Sequence, residues 1–240
     1  MEQRAYTSVD PGAARVGNAW LERSWSAFIG QTIELTQSAG PTQWLAAQSA
    51  EVCFTLADGR VFDVMALGEV EWSEERSPHA AGLLLRKGSP AGLGAYIRTL
   101  ALHDSAGLVR EVQLFNTSPD PVIVASVHYE MLPLHGERQA LPEGMAVLTA
   151  DRGLLVGVEG DAQLVPGGPD GEPLTVSWQQ ERALPRGARW DLPPVFILPF
   201  GGGTGEHVAA LAAKYHKQRE AMRTWEAGRA AAIREEAENN

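Results

Sequence analysis

The stretch Leu93–Leu132, LGAYIRTLALHDSAGLVREVQLFNTSPDPVIVASVHYEML, decides the fold. It holds three largely apolar runs, Leu93–Leu102, Leu108–Phe115 and Val122–Leu132, each of strand length and each bounded by turn residues. His103-Asp104-Ser105-Ala106-Gly107 joins the first two as a predicted hairpin, with His103 and Asp104 in turn roles. Asn116-Thr117-Ser118-Pro119-Asp120-Pro121 joins the last two; its prolines fix φ and its Asn and Asp can bond nearby backbone. The same grammar holds to either side. Val52–Leu56 leads through Ala57-Asp58-Gly59-Arg60 into Val61–Met65, and Asp-Gly between apolar runs predicts a type I′ hairpin. Further runs lie at Ala146–Thr149, Leu154–Val158, Leu174–Trp178 and Val195–Phe200, and Pro166–Gly171 reads as loop. Strand follows strand with no helical period before residue 203. Such a chain cannot build a parallel α/β sheet. The expected fold over 1–203 is all-β, a large antiparallel sandwich or barrel.

Residues 204–240 read differently. Val208, Leu211, Tyr215, Met222 and Trp225 form one apolar stripe at helical spacing, with polar Gln218 in its gap. Thr204 is the expected N-cap of a long C-terminal α-helix. A helix from about Gly205 to Glu236 outruns what a β domain can cover, so its stripe is expected to be an exposed interface for a partner or a second copy. The acidic end, Glu235–Asn240, is expected to fray. Gly201–Gly205 precedes the helix as a phosphate loop would, but no Lys-Ser/Thr pair follows, so it reads as a flexible joint.

Charge and composition exclude several functions. The chain of 240 residues carries 20 basic against 30 acidic side chains, and the whole excess lies before Thr204. Nucleic-acid binding needs clustered Lys and Arg, so it is not expected. The single cysteine, Cys53, excludes an internal disulfide and a multi-cysteine zinc module. No apolar run approaches the length of a membrane span, and the N-terminus has no signal-peptide pattern, so a cytoplasmic protein without membrane contact is expected. Neither a metal nor a cofactor is expected.

Candidate chemistry is sparse. Alternation along Val122–Leu132 puts Ser126, His128 and Glu130 on one face, where His128 and Glu130 could act as an acid/base pair or hold a sugar hydroxyl; a solvated strand face explains them as well. Glu69, Glu71, Glu74 and Glu75 could supply paired carboxylates for glycoside hydrolysis, or simply an exposed acidic strand. Among seven tryptophans, Trp20, Trp44 and Trp72 are candidate sugar-stacking faces, as is His128 a sugar contact; core packing is the competing role for each Trp. Asn116-Thr117-Ser118 spells a glycosylation sequon in letters only.

Several stretches together resemble a known family. Val16-Gly17-Asn18-Ala19-Trp20-Leu21-Glu22-Arg23, Gln43-Trp44, Glu51–Leu56, Leu108–Ser118 and Leu184-Pro185-Arg186-Gly187 through Leu198 are similar to the N-terminal β-supersandwich of melibiase-type α-galactosidases, glycoside hydrolase family 36, of the galactose-mutarotase-like superfamily. The passage through Gly201–Gly205 into a helix with Tyr215-His216 resembles the connection toward a catalytic barrel. The resemblance implies a large antiparallel two-sheet supersandwich over 1–203, carbohydrate-associated, that packs on a catalytic barrel domain or on a second copy through its helix. The family's catalytic aspartates belong to that barrel, so no catalytic residue carries over. Two alternatives stand beside this: an aldose-epimerase-like enzyme using His128 and Glu130, and a carbohydrate-binding or self-assembling structural protein.

Overall fold

The computed structural model describes residues 4–38, 42–66, 68, 70–89, 92–168, 172–202 and 206–238. The expected cap Thr204, Gly203 and Gly205 of the glycine run, Glu69, residues 169–171 of the predicted loop, and Asn239 and Asn240 lie outside them. The first five strands, β1 (Tyr6–Val9), β2 (Ala13–Gly17), β3 (Leu21–Ser26), β4 (Thr32–Gln37) and β5 (Thr42–Gln43), form an antiparallel meander. Then follow β6 (Cys53–Leu56), β7 (Val61–Asp63), β8 (Glu71–Arg76), β9 (Ala80–Gly88), β10 (Leu93–Leu102), β11 (Leu108–Asn116) and β12 (Val122–Leu132). After them come β13 (Glu137–Leu141), β14 (Gly144–Leu148), β15 (Arg152–Val158), β16 (Gln163–Val165), β17 (Leu174–Trp178), β18 (Arg182–Leu184), β19 (Arg189–Asp191) and β20 (Val195–Gly201). One helix, α1 (Glu206–Glu238), closes the chain.

The strands divide into a nine-stranded sheet, ordered β13-β14-β15-β20-β11-β10-β9-β8 with β19 also on β11, a six-stranded sheet built around β12, and the five-stranded meander. Isolated bridges Thr32–Ser49, Ala50–Met131 and Leu45–Leu134 stitch the meander to the six-stranded sheet. Those two therefore continue one another as a single layer facing the nine-stranded sheet, and the sandwich has the expected two layers. Alternation sorts the side chains. Leu83, Leu85, Ile97, Val112, Val156 and Ile197 of the large sheet point into the interlayer core with Phe54, Val127 and Val176 of the other layer. Leu100, Val109, Leu155, Phe196 and Leu198 point the other way, into a second core beneath α1.

Local turn chemistry differs from expectation at one hairpin. Only Gly59 takes a positive φ, at 85°, so Ala57-Asp58-Gly59 is not a type I′ turn. Gly59 N donates to Leu56 O (2.9 Å) and Leu56 N donates to Arg60 O (2.8 Å), which makes a three-residue loop with a glycine bulge. Two buried asparagines fix the longer connections. Asn18 Nδ2 donates to Ser105 O and Gly107 O, tying the β2–β3 turn to the β10–β11 turn, while its Oδ1 accepts from Trp20 N and Leu21 N. Asn116 does the same for the turn before β12, donating to Asp120 O and Leu184 O and accepting from Ser118 N. It is fully buried, so the sequon is a turn clasp.

The helix has the expected position and a different role. Its stripe is not open to a partner: Val208, Tyr215 and Met222 are at most 1% exposed against this chain's own large sheet, and Leu211 packs beside them. Two outer-face glycines make the seat. A Cβ on Gly153 would meet the Phe200 ring at 2.0 Å, and one on Gly157 the Phe196 ring at 2.1 Å. The rings therefore lie flat on β15, and Phe196 packs on Tyr215, centroids 4.6 Å apart. The polar gap in the stripe is closed by Arg219, which is 3% exposed and bonded to Glu111 of the sheet. Trp225 is half-buried, edge-on to His79 at 6.1 Å. The helix continues through the acidic end to Glu238, where fraying was expected.

A candidate functional groove beside the helix

The predicted acid/base pair is split by a β-bulge. The register of β12 against β17 shifts between His128 and Glu130, so His128 faces Ser177 while Glu130 faces Val176 of the core. One inserted residue reverses the alternation. His128 is half-buried on the outer side of the smaller sheet, across from Cys53. Glu130 is fully buried between the layers, so the expected shared face does not exist.

Glu130 belongs instead to a closed ionic cluster. Arg23 of β3 donates to both its oxygens, at 2.7 and 2.9 Å, and to Glu51 Oε2 at 3.1 Å. Arg110 of β11 donates to Glu51 and lies 3.6 Å from Glu130. All four side chains are at most 1% exposed, two cations against two anions, joining the three sheets at their centre. Burial alone would push the Glu51 carboxyl up. Arg110 and then Arg23 outweigh it and hold it at about 2, against an ordinary 4.5.

Of the tryptophan candidates, Trp44 and Trp72 pack on the core. Trp44 is fully buried. Trp72 is half-buried, donates its indole N–H to Ala27 O (3.0 Å), and lies 5.9 Å from the Trp25 ring. Trp20 is half-buried in the turn held by Asn18. The three do not form a common exposed face.

A concavity lined by both polar and apolar side chains lies elsewhere, on the outer face of the nine-stranded sheet where α1 leaves it open. The groove has a volume of about 590 Å³, and Tyr96, Arg98, Glu111, Gln113, Arg189 and Asp191 are among its lining residues. Arg98 is its pivot. Its guanidinium donates to Glu75 of β8 (2.6 Å), Glu111 of β11 (2.9 Å) and Glu226 of α1 (2.7 Å). Burial would lower its basicity, but Glu111 leads the carboxylates that raise it on balance. Glu111 is pushed up by burial and pulled further down by Arg219 and Arg98, so it stays ionised. Glu159, just past β15, completes the clamp by accepting from Tyr215 Oη (2.7 Å) and from Arg223. On the open side, Gln113 Nε2 donates to Asp191 (2.6 Å), and the Arg189 guanidinium lies over Tyr96 at 5.3 Å. An adjoining groove of about 340 Å³ shares Leu84 and Tyr96 and adds Glu71, Ser73 and Arg86.

Of these residues, Glu71 and Glu75 were singled out in the sequence, as possible catalytic carboxylates. Each is instead bonded to an arginine, Arg86 (3.0 Å) and Arg98. Tyr96, Arg98, Glu111 and Gln113 carried one available signal, polar residues alternating with buried Ile97 and Val112. Among the described residues no three His, Cys, Asp or Glu side chains converge as a metal site, and no helix is long and apolar enough to cross a membrane.

No protein-family model matches the chain, and no curated protein matches it in sequence. Solved structures do match. A galactose mutarotase-like protein from Clostridium acetobutylicum superposes with a TM-score of 0.57 at 6% identity, covering 84% of this chain and 99% of that one. A GH36 α-galactosidase from Geobacillus stearothermophilus gives 0.56 at 10% identity, over 82% of this chain and 41% of the enzyme. An α-mannosidase from Enterococcus faecalis gives 0.55 at 10% identity, over 89% of this chain and 32% of that protein. The chain thus spans less than half of these two enzymes and nearly all of the Clostridium protein. At such identities the likeness is one of fold, and the fold is the galactose-mutarotase-like β-supersandwich that the two enzymes also contain.

Proposed function

We propose that the protein is a non-catalytic carbohydrate-binding sandwich, of the kind that accompanies a catalytic domain in larger glycosidases, and that its sugar site is the groove beside α1. The observation that carries this reading is the chemistry of the lining. Carboxylates that accept from hydroxyls, guanidiniums and an amide that donate to them, and one tyrosine meet in a single concavity on a fixed sheet. The same lining argues against turnover. A general acid must hold a proton near neutral pH, yet Glu111 is kept ionised by Arg219 and Arg98. No histidine is among the described lining residues. The epimerase alternative loses its geometric support with the separation of His128 from Glu130. The helix stripe is spent on this chain's own sheet, so a catalytic barrel or a second copy would have to dock elsewhere.

A glycan-binding screen with the wild-type chain and with Gln113→Ala tests the proposal. Binding that the variant weakens, with no change in anomer interconversion or glycoside hydrolysis by either protein, is the expected result. Binding unaffected by Gln113→Ala, or turnover by the wild type, overturns it.

A further inference from the structure

The outer face carries a feature that a single-sugar pocket does not need. Strand register aligns Glu71 with Arg86, Arg86 with Tyr96, Tyr96 with Gln113, and Gln113 with Asp191. Directly paired residues share a face of the sheet. The five side chains therefore form one straight row across β8, β9, β10, β11 and β19, and all are at least partly exposed. Four strand spacings of about 4.8 Å make the row roughly 19 Å long. Its chemistry runs carboxylate, guanidinium, phenol, amide, carboxylate. Glu71 and Arg86 are bonded at one end, Gln113 and Asp191 at the other, so the row is fixed before any ligand arrives. The two grooves on this face meet at Leu84 and Tyr96, so the row lies along one continuous depression.

We infer that this row is an extended binding strip for a linear oligosaccharide, with the sugar chain laid across the strands and successive residues contacting Asp191 and Gln113, then Tyr96, then Arg86 and Glu71. The inference rests on the carbohydrate reading above and adds the length and direction of the ligand. A monosaccharide would fill only the groove beside α1, leaving the Glu71–Arg86 end unused. A chain reaching both ends gains contacts with groups that are already oriented, at little further ordering cost.

The test is calorimetric titration of the full chain with D-galactose, D-mannose and D-glucose and with linear di- and tetrasaccharides of each. Within the sugar type that binds, affinity is expected to rise on the order of tenfold or more from mono- to tetrasaccharide. Arg86→Ala sits on the exposed surface, and its folding is checked by its Tm. In that variant the ratio of tetrasaccharide to monosaccharide affinity falls toward one. Monosaccharide binding with no gain from chain length overturns the strip and leaves the single-site reading standing. A length gain that Arg86→Ala preserves also overturns it, because the chain then runs another way. Failure of every sugar to bind overturns both.

Discussion

Replacing Glu130 by Gln tests the core of the architecture. The substitution keeps the shape and removes one of the two negative charges that face Arg23 and Arg110 between the layers. Glu51 would then be the one carboxylate left for two guanidiniums that are at most 1% exposed. Breaking a buried pair in this way costs about 3–5 kcal/mol, because the orphaned cation keeps its desolvation penalty. Against a total stability of about 5–15 kcal/mol the loss is large. For a chain of this size it lowers Tm by roughly 10 °C. Urea unfolding at neutral pH, followed by tryptophan fluorescence, measures it as a fall in midpoint with an unchanged slope. Adding Arg110→Gln restores charge balance and should recover part of the loss, which a double-mutant cycle reads directly. A cost under about 1 kcal/mol would refute the reasoning, since that is the range of a solvent-exposed ion pair.

Three other outcomes follow from the same geometry. Glu51 has a folded value of about 2, below its unfolded one, so its stabilisation is complete above about pH 5 and fades as pH falls toward 2; it amounts to roughly 3 kcal/mol, read by urea midpoints across that range. Gly157→Ala puts a methyl where the Phe196 ring lies and should cost about 1–3 kcal/mol by overpacking, with a matching loss of near-ultraviolet circular dichroism. Glu159→Gln weakens the bonds to Tyr215 and Arg223 and should speed amide hydrogen exchange in α1 while leaving β10 and β11 protected.

Local grammar made much of the fold readable. The hairpin between Leu93–Leu102 and Leu108–Phe115 follows from turn residues between apolar runs, and the terminal helix from the spacing of Val208, Tyr215 and Met222. What could not be read depends on partners far away in the chain. The bulge that separates His128 from Glu130 is a mismatch between β12 and β17, which the alternation of β12 alone conceals. The helix stripe looked partnerless because its seat is made by Gly153 and Gly157, whose missing side chains carry no hydrophobic signal. Arg219 filled the gap in that stripe because Glu111, more than a hundred residues earlier, was waiting beneath it. The candidate site was the least legible part. Gln113 and Asp191 become neighbours through pairing of β11 with β19, and each alone is an ordinary polar residue in a strand.

The central claim is that sugar is held on the outer face of the large sheet beside α1. A crystal structure of the protein with its best-binding glycan tests this most directly. The account predicts sugar density over Tyr96, Gln113 and Asp191, with the Arg98–Glu111–Arg219 clamp intact beneath it. Density on the opposite side of the molecule, over His128 and Cys53 on the smaller sheet, would contradict it.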